Sequence, residues 1–138
     1  MVSSVFCVFW IIASAQAIQY VGHLVLTGQP MSVKRAYLNC ADSTKVEPEM
    51  ILQLKKGNWM EDERLKAWVL CVLVNTNYMT EQGVFQLDVA LNNISAAEKN
   101  SLEKHIDQCL PTKRLKPREI AFRFAKCFHQ RASNHSLF

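Results

Sequence analysis

The chain has 138 residues, with 16 Lys and Arg against 12 Asp and Glu and a formal net charge of +4. That length suits one domain. Beyond the amino-terminal run nothing approaches the roughly 20 apolar residues of a membrane span, and no recognition motif or aromatic stacking platform speaks for nucleic acid. The chain opens with "MVSSVFCVFWIIASAQA", in which Val5 to Ala13 is an apolar run of nine and Ala15-Gln16-Ala17 is a small-x-small cleavage pattern. No Lys or Arg precedes the run, so the α-amino group is its only positive charge. Residues 1–17 read as a cleaved secretory signal, leaving 18–138 as one domain.

The segment "YVGHLVLTG", residues 20–28, fits either a strand-like arm or an early helical turn. From there the pattern is helical. Pro30 suits the first turn of a helix to about Asp42, with Tyr37, Leu38 and Ala41 as apolar positions around Cys40. Pro48 opens a second helix, in which Met50, Ile51 and Leu54 share a face, and Gly57 stops it. Glu61, Asp62 and Glu63 start a third, which runs through Leu65, Trp68, Val69, Val72 and Leu73 to about Asn75. A fourth is expected to follow Gly83, with Val84, Leu87, Ala90 and Leu91 apolar. Ser95 and Glu98 form an S-x-x-E capping box for a fifth carrying Leu102, Ile106, Cys109 and Leu110. After a basic connector between Pro111 and Pro117, "REIAFRFAKCFHQ" makes the sixth. Strand alternation is nearly absent. The fold class is all-α: a compact bundle of about six short helices, most apolar on one face.

Export decides how the cysteines read. Cys7 leaves with the signal, and Cys40, Cys71, Cys109 and Cys127 remain. An even number in a small secreted chain favours disulfides. No CxxC, HExxH or clustered Cys/His set gives a zinc site. In the chain-entropy model two bridges closing loops of roughly 20 to 30 residues contribute roughly 3 to 4 kcal/mol each. Four cysteines allow three connectivities, and spacing alone does not choose among them.

These features resemble the insect odorant-binding proteins and their pheromone-binding relatives, small secreted helical carriers with a six-cysteine pattern. Thirty residues lie between Cys40 and Cys71, thirty-seven between Cys71 and Cys109, and seventeen between Cys109 and Cys127. These intervals fit the family's first-to-third, third-to-fourth and fourth-to-sixth cysteines. Its second and fifth, which bond to each other, would fall at Ala67 and Arg118. Their joint absence marks a cysteine-minus subgroup with four cysteines. "LKAWVLC", "PREIAFRFAKCF" and Gly83 after Cys71 agree with the flanking pattern.

The resemblance implies Cys40–Cys71 and Cys109–Cys127 bridges around a closed apolar cavity, with the third and sixth helices tied together only by packing. It implies a carrier of small hydrophobic molecules, such as odorants or pheromones, with no cofactor. The expected wall comprises Met50, Ile51, Leu54, Trp68, Val72, Leu73, Met79, Val84, Leu87, Ile106, Leu110, Phe124 and Phe128. Met and aromatic side chains adapt to varied ligand shapes. Tyr78 is the expected polar handle at the pocket edge, and Leu137 and Phe138 end a tail that folds over the pocket. His129 and His135 near it read as solvated histidines, and the rival reading has their protonation weaken that lid.

Seven basic residues and one acid lie between Lys113 and Arg131, which reads as a solvated helix face, the rival being a patch for anionic surfaces or acidic partners. A membrane-bound receptor is the candidate macromolecular partner of a monomer or weak dimer. Two N-x-S sequons, at Asn93 and Asn134, are candidate glycan sites. Catalysis has no support: His105 and Asp107 point to different faces of one helix. The rival reading is a secreted helical protein with a solid core that binds a receptor. A saposin-like lipid handler fits the cysteine intervals poorly.

Overall fold

Proline placement and side-chain caps set most of the helix boundaries in the computed structural model, which describes residues 30–132. Helix α1 is Met31–Thr44, starting directly after Pro30 and ending where Lys45 turns left-handed, φ 55°, with its N–H donating to the Ala41 carbonyl. Helix α2, Pro48–Lys55, has proline in its first turn, where no intrahelical donor is lost. Helix α3, Glu63–Asn75, is capped by Asp62, whose carboxylate accepts from the Arg64 and Leu65 amides at 2.9 and 3.1 Å. Its last turn is closed by the Thr76 hydroxyl, which donates to the Val72 carbonyl at 2.8 Å.

The fourth helix is shorter than expected. Helix α4 is Leu87–Leu91 only. Val84 precedes it, in a small antiparallel turn where Met79 bridges Phe85, Thr80 donates to Val84 at 2.8 Å and Gln86 donates to Tyr78 at 2.7 Å. The turn's own backbone bonds outcompete helix nucleation there. Helix α5 is Ala96–Cys109, and Ser95 occupies its N-cap position. The expected capping box does not form, because the Ser95 hydroxyl donates to the Glu98 carboxylate instead of accepting from a backbone amide. Helix α6 is Pro117–Arg131.

Helix α3 is the axis: it packs against α1 on one side and α6 on the other, α6 packs on α5, and α5 on α4. Trp68, Val69, Val72 and Leu73 of α3 are fully buried, as are Phe122, Phe124 and Phe128 of α6. The Cys40–Cys71 bridge joins α1 to α3 with Cα atoms 5.7 Å apart, and Cys109–Cys127 joins the end of α5 to α6 at 5.4 Å. Both pairings match those the resemblance implies. Among the described residues no helix is long and apolar enough to cross a membrane.

Candidate functional site

Aromatic rings organise the interior. Tyr37 stands edge-on to Trp68 with centroids 5.2 Å apart, Trp59 edge-on to Phe122 at 5.6 Å, and Phe85 against Phe124 at 4.6 Å. Such offset and edge contacts add to what ring burial contributes.

Most of the expected wall residues meet in this one cluster. Ile51, Leu54, Trp68, Val72, Leu73, Met79, Ile106, Phe124 and Phe128 are buried together, with Met50, Tyr78, Leu87 and Leu110 half-buried against them. Val84 is not brought in: the turn leaves it 58% exposed. Phe138, Leu137, His135, Asn134, residues 1–17 and the 20–28 segment lie outside the described residues. His129 is exposed, its ring 5.8 Å from that of Trp59. Asn93 is exposed in the turn between α4 and α5.

Sequence reasoning passed over Trp59, Phe85 and Phe122 as interior residues. Phe122 and Phe124 sit two apart, which on a narrow-striped helix would put one of them outside. Here the buried arc of α6 spans Ala121, Phe122, Phe124, Ala125 and Phe128, wide enough for both. That arc meets α3 and α5 at once.

Clefts open at the surface among the described residues. One of about 490 Å³ is lined by Glu63, Leu70, Glu81, Lys116, Pro117, Arg118 and Glu119. Another of about 540 Å³ is lined by Val74, Asn77, Met79, Thr80, Gln86 and Val89. Of the expected wall, Met79 alone lines either of these two.

The junction of α3 and α6 corrects one expectation. These helices are not tied by packing alone. Lys66, its side chain 10% exposed, reaches Glu61 at 2.8 Å, Glu119 at 2.9 Å and Glu63 at 3.6 Å. Its ammonium also lies 5.6 Å from the centre of the Phe122 ring, within cation–π range. Hydrogen bonds to Glu61 and then Glu119, outweighing burial, raise the Lys66 pKa. Glu119 is in turn held by Arg123 at 2.8 Å. Hydrogen bonds from Arg123 and then Lys66 keep its carboxyl below the usual range. Lys66 and Glu119 are the immediate neighbours of Ala67 and Arg118, so an ionic tie lies beside the place where the resemblance puts the missing bridge.

A second polar feature lies where Tyr37 of α1 meets Trp68 of α3 and Lys55 of α2. The Tyr37 hydroxyl is buried, and no hydrogen-bond partner reaches it among the described residues. Above its ring, at 5.0 Å from the centroid, stands the Lys55 ammonium. Burial raises the Tyr37 pKa and lowers that of Lys55. Among the described residues no cluster of His, Cys, Asp and Glu is arranged to hold a metal ion.

Residues 25–131 match the model of the PBP/GOBP family. The B1 protein of Tenebrio molitor is 24% identical over 98 residues, covering 69% of this chain and 74% of that protein. Among solved structures, an odorant-binding protein of Locusta migratoria superposes with a TM-score of 0.62 at 24% identity, over 74% of this chain and 80% of that one. Six helices among the described residues, with α3 as their axis, two bridges with the expected partners and a family match over most of the length agree. The chain belongs to the PBP/GOBP family, whose members are carriers of small ligands rather than enzymes.

Proposed function

We propose that this chain is exported, loses residues 1–17 and carries one small hydrophobic molecule through extracellular fluid in an interior bounded by α2, α3, α5 and α6. We further place it in the four-cysteine subgroup. The observation that supports the reading best is the convergence of Ile51, Leu54, Trp68, Ile106, Phe124 and Phe128, from four helices, on one apolar cluster. A ligand that buries on the order of 300 Å² of apolar surface gains roughly 7 kcal/mol gross. Part of this offsets lost translational freedom, so micromolar dissociation constants follow. That range suits a carrier that must both load and unload.

The test is expression of the full sequence in insect cells, collection from the medium and titration with the apolar fluorophore N-phenyl-1-naphthylamine. A saturable one-to-one complex from which medium-chain volatiles displace the probe supports the carrier. A secreted protein that binds no probe is the solid-core interaction protein instead. Retention of residues 1–17 on the collected chain would remove the leader from the reading.

A further inference from the structure

The junction of α1, α2 and α3 holds hydrogen-bond donors without a matching acceptor among the described residues. Tyr37 is only 2% exposed, and its hydroxyl has no partner among the described residues. The Trp68 indole N–H donates at 3.3 Å to the Tyr37 carbonyl, which leaves that hydroxyl unaddressed. Lys55, half-buried at the end of α2, sets its ammonium over the face of the same ring. Among the described residues no carboxylate pairs with it. Buried polar groups in folded proteins almost always find a partner, and an orphan asks for an explanation. A phenylalanine here would supply the same ring contact with Trp68 and avoid burying an unsatisfied hydroxyl.

We infer that Tyr37 and Lys55 form the polar end of the ligand site, selecting apolar-chain molecules that terminate in an acceptor oxygen. This rests on the carrier reading above. The hydroxyl donates to a carbonyl or carboxylate oxygen, and the ammonium adds attraction for a carboxylate. Because the hydroxyl is closed to bulk water, the acceptor arrives from within the bundle, with the apolar chain trailing among the aromatic side chains. The lowered pKa of Lys55, caused by burial, fits a cation that gains when an anion joins it.

The experiment compares decane, decanal and decanoic acid as displacers of N-phenyl-1-naphthylamine from the protein collected from the medium after expression of the full sequence, and from its Tyr37→Phe and Lys55→Met variants. The parent is expected to hold decanal about tenfold more tightly than decane, and decanoic acid more tightly still. Tyr37→Phe removes the preference for decanal and leaves decane unchanged. Lys55→Met removes only the extra preference for the acid. The unliganded Tyr37→Phe protein melts at the same or a higher temperature, since it loses a hydroxyl that none of the described residues satisfies. Equal affinity of the parent for all three molecules overturns the inference, as does a preference that survives in Tyr37→Phe. A lower melting temperature for unliganded Tyr37→Phe also overturns it, by revealing a partner within the protein. Failure of the parent to bind the probe at all removes the carrier reading and this inference together, whereas probe binding without oxygen selectivity removes the inference alone.

Discussion

Helix α3 is held to its two neighbours by different physics. Its contact with α1 is covalent, through Cys40–Cys71, and close by the Asn75 amide donates to the Cys71 carbonyl at 2.8 Å. Its contact with the start of α6 is ionic, through Lys66 and Glu119. A disulfide acts mainly by restricting the unfolded chain, so it is indifferent to salt and to moderate pH. An ion pair acts in the folded state, and its worth depends on how far water is excluded. The same bundle therefore has one rigid seam and one that conditions can loosen, with a cleft of about 490 Å³ lined in part by Glu63, Lys116 and Glu119 at the second.

Breaking the covalent seam should have the largest effect. The cysteines of Cys40–Cys71 are 31 positions apart, a loop for which Cys40→Ala/Cys71→Ala is expected to cost about 3–4 kcal/mol. The Cys109–Cys127 loop spans 18 positions, and its removal should cost slightly less. Urea denaturation of the two double variants measures both. A loss below about 1 kcal/mol for the first would show that packing, not the crosslink, holds α1 to α3.

The ionic seam also relies on a close backbone approach. Gly83 has φ +83°, and a Cβ there would meet Ile120 Cδ1 at 3.1 Å and the Pro117 Cα at 3.2 Å. Gly57 has a similar φ of +92° but open space around it. Gly57→Ala is expected to cost about 1 kcal/mol, from backbone strain alone. Gly83→Ala should cost about 2–3 kcal/mol, because strain and the clash with the first turn of α6 add. Equal melting temperatures for the two variants would mean that the 80–83 turn yields freely against α6.

Converting the ionic seam into a covalent one sharpens the comparison further. Ala67→Cys/Arg118→Cys is expected to raise stability by about 1–2 kcal/mol, below the chain-entropy ceiling of roughly 4 kcal/mol for a loop of that length. No rise in melting temperature, with the new bridge confirmed by mass, would show that Lys66 and Glu119 already do its work. Lys66→Met should lower stability by about 1 kcal/mol. It leaves Glu61, Glu63 and Glu119 without their shared cation, yet its methylene stem is replaced by apolar atoms. In a cycle with Glu119→Gln the two should couple by at least about 0.5 kcal/mol, and strict additivity would mean that the pair is not an energetic contact.

Why one seam was legible in the sequence and the other was not follows from range. Proline at 30, 48 and 117 and the acids before α3 mark helix starts by local chemistry, and the observed bounds lie within a few residues of those expected. The cysteine pairing came from intervals that a resemblance could interpret. Lys66 carried no such mark. It stands between Leu65 and Trp68 on the flank of the buried stripe, where a lysine ordinarily reaches solvent. Its decisive partner, Glu119, lies in another helix more than fifty residues away. Tyr37 is similar: its apolar spacing around Cys40 was visible, but an unsatisfied hydroxyl is a property of the packed junction. Val84 went wrong for a local reason, since helix periodicity was extended backwards across a turn whose glycine, at φ +83°, favours a hairpin.

The smallest expected effect separates the seams by pH. Glu119 is held below the usual carboxyl range by Arg123 and Lys66. A carboxyl with a depressed folded-state pKa contributes stability that is fully present above its ordinary value, near 4.5, and that fades as pH falls through the lowered one. The Lys66 pKa is raised instead, so its contribution is complete at every pH below the ordinary lysine value and plays no part in acid. Melting temperature should thus be level from pH 8 to pH 5 as far as this seam is concerned, then decline below pH 4.5. Glu119→Gln should start slightly lower and decline less steeply, so that the two curves converge as pH falls through the lowered value. The Cys40–Cys71 variants should run parallel to the parent throughout, because no group in that bridge titrates. Curves for Glu119→Gln and the parent that stayed parallel down to pH 3 would show that charge contributes nothing at the start of α6.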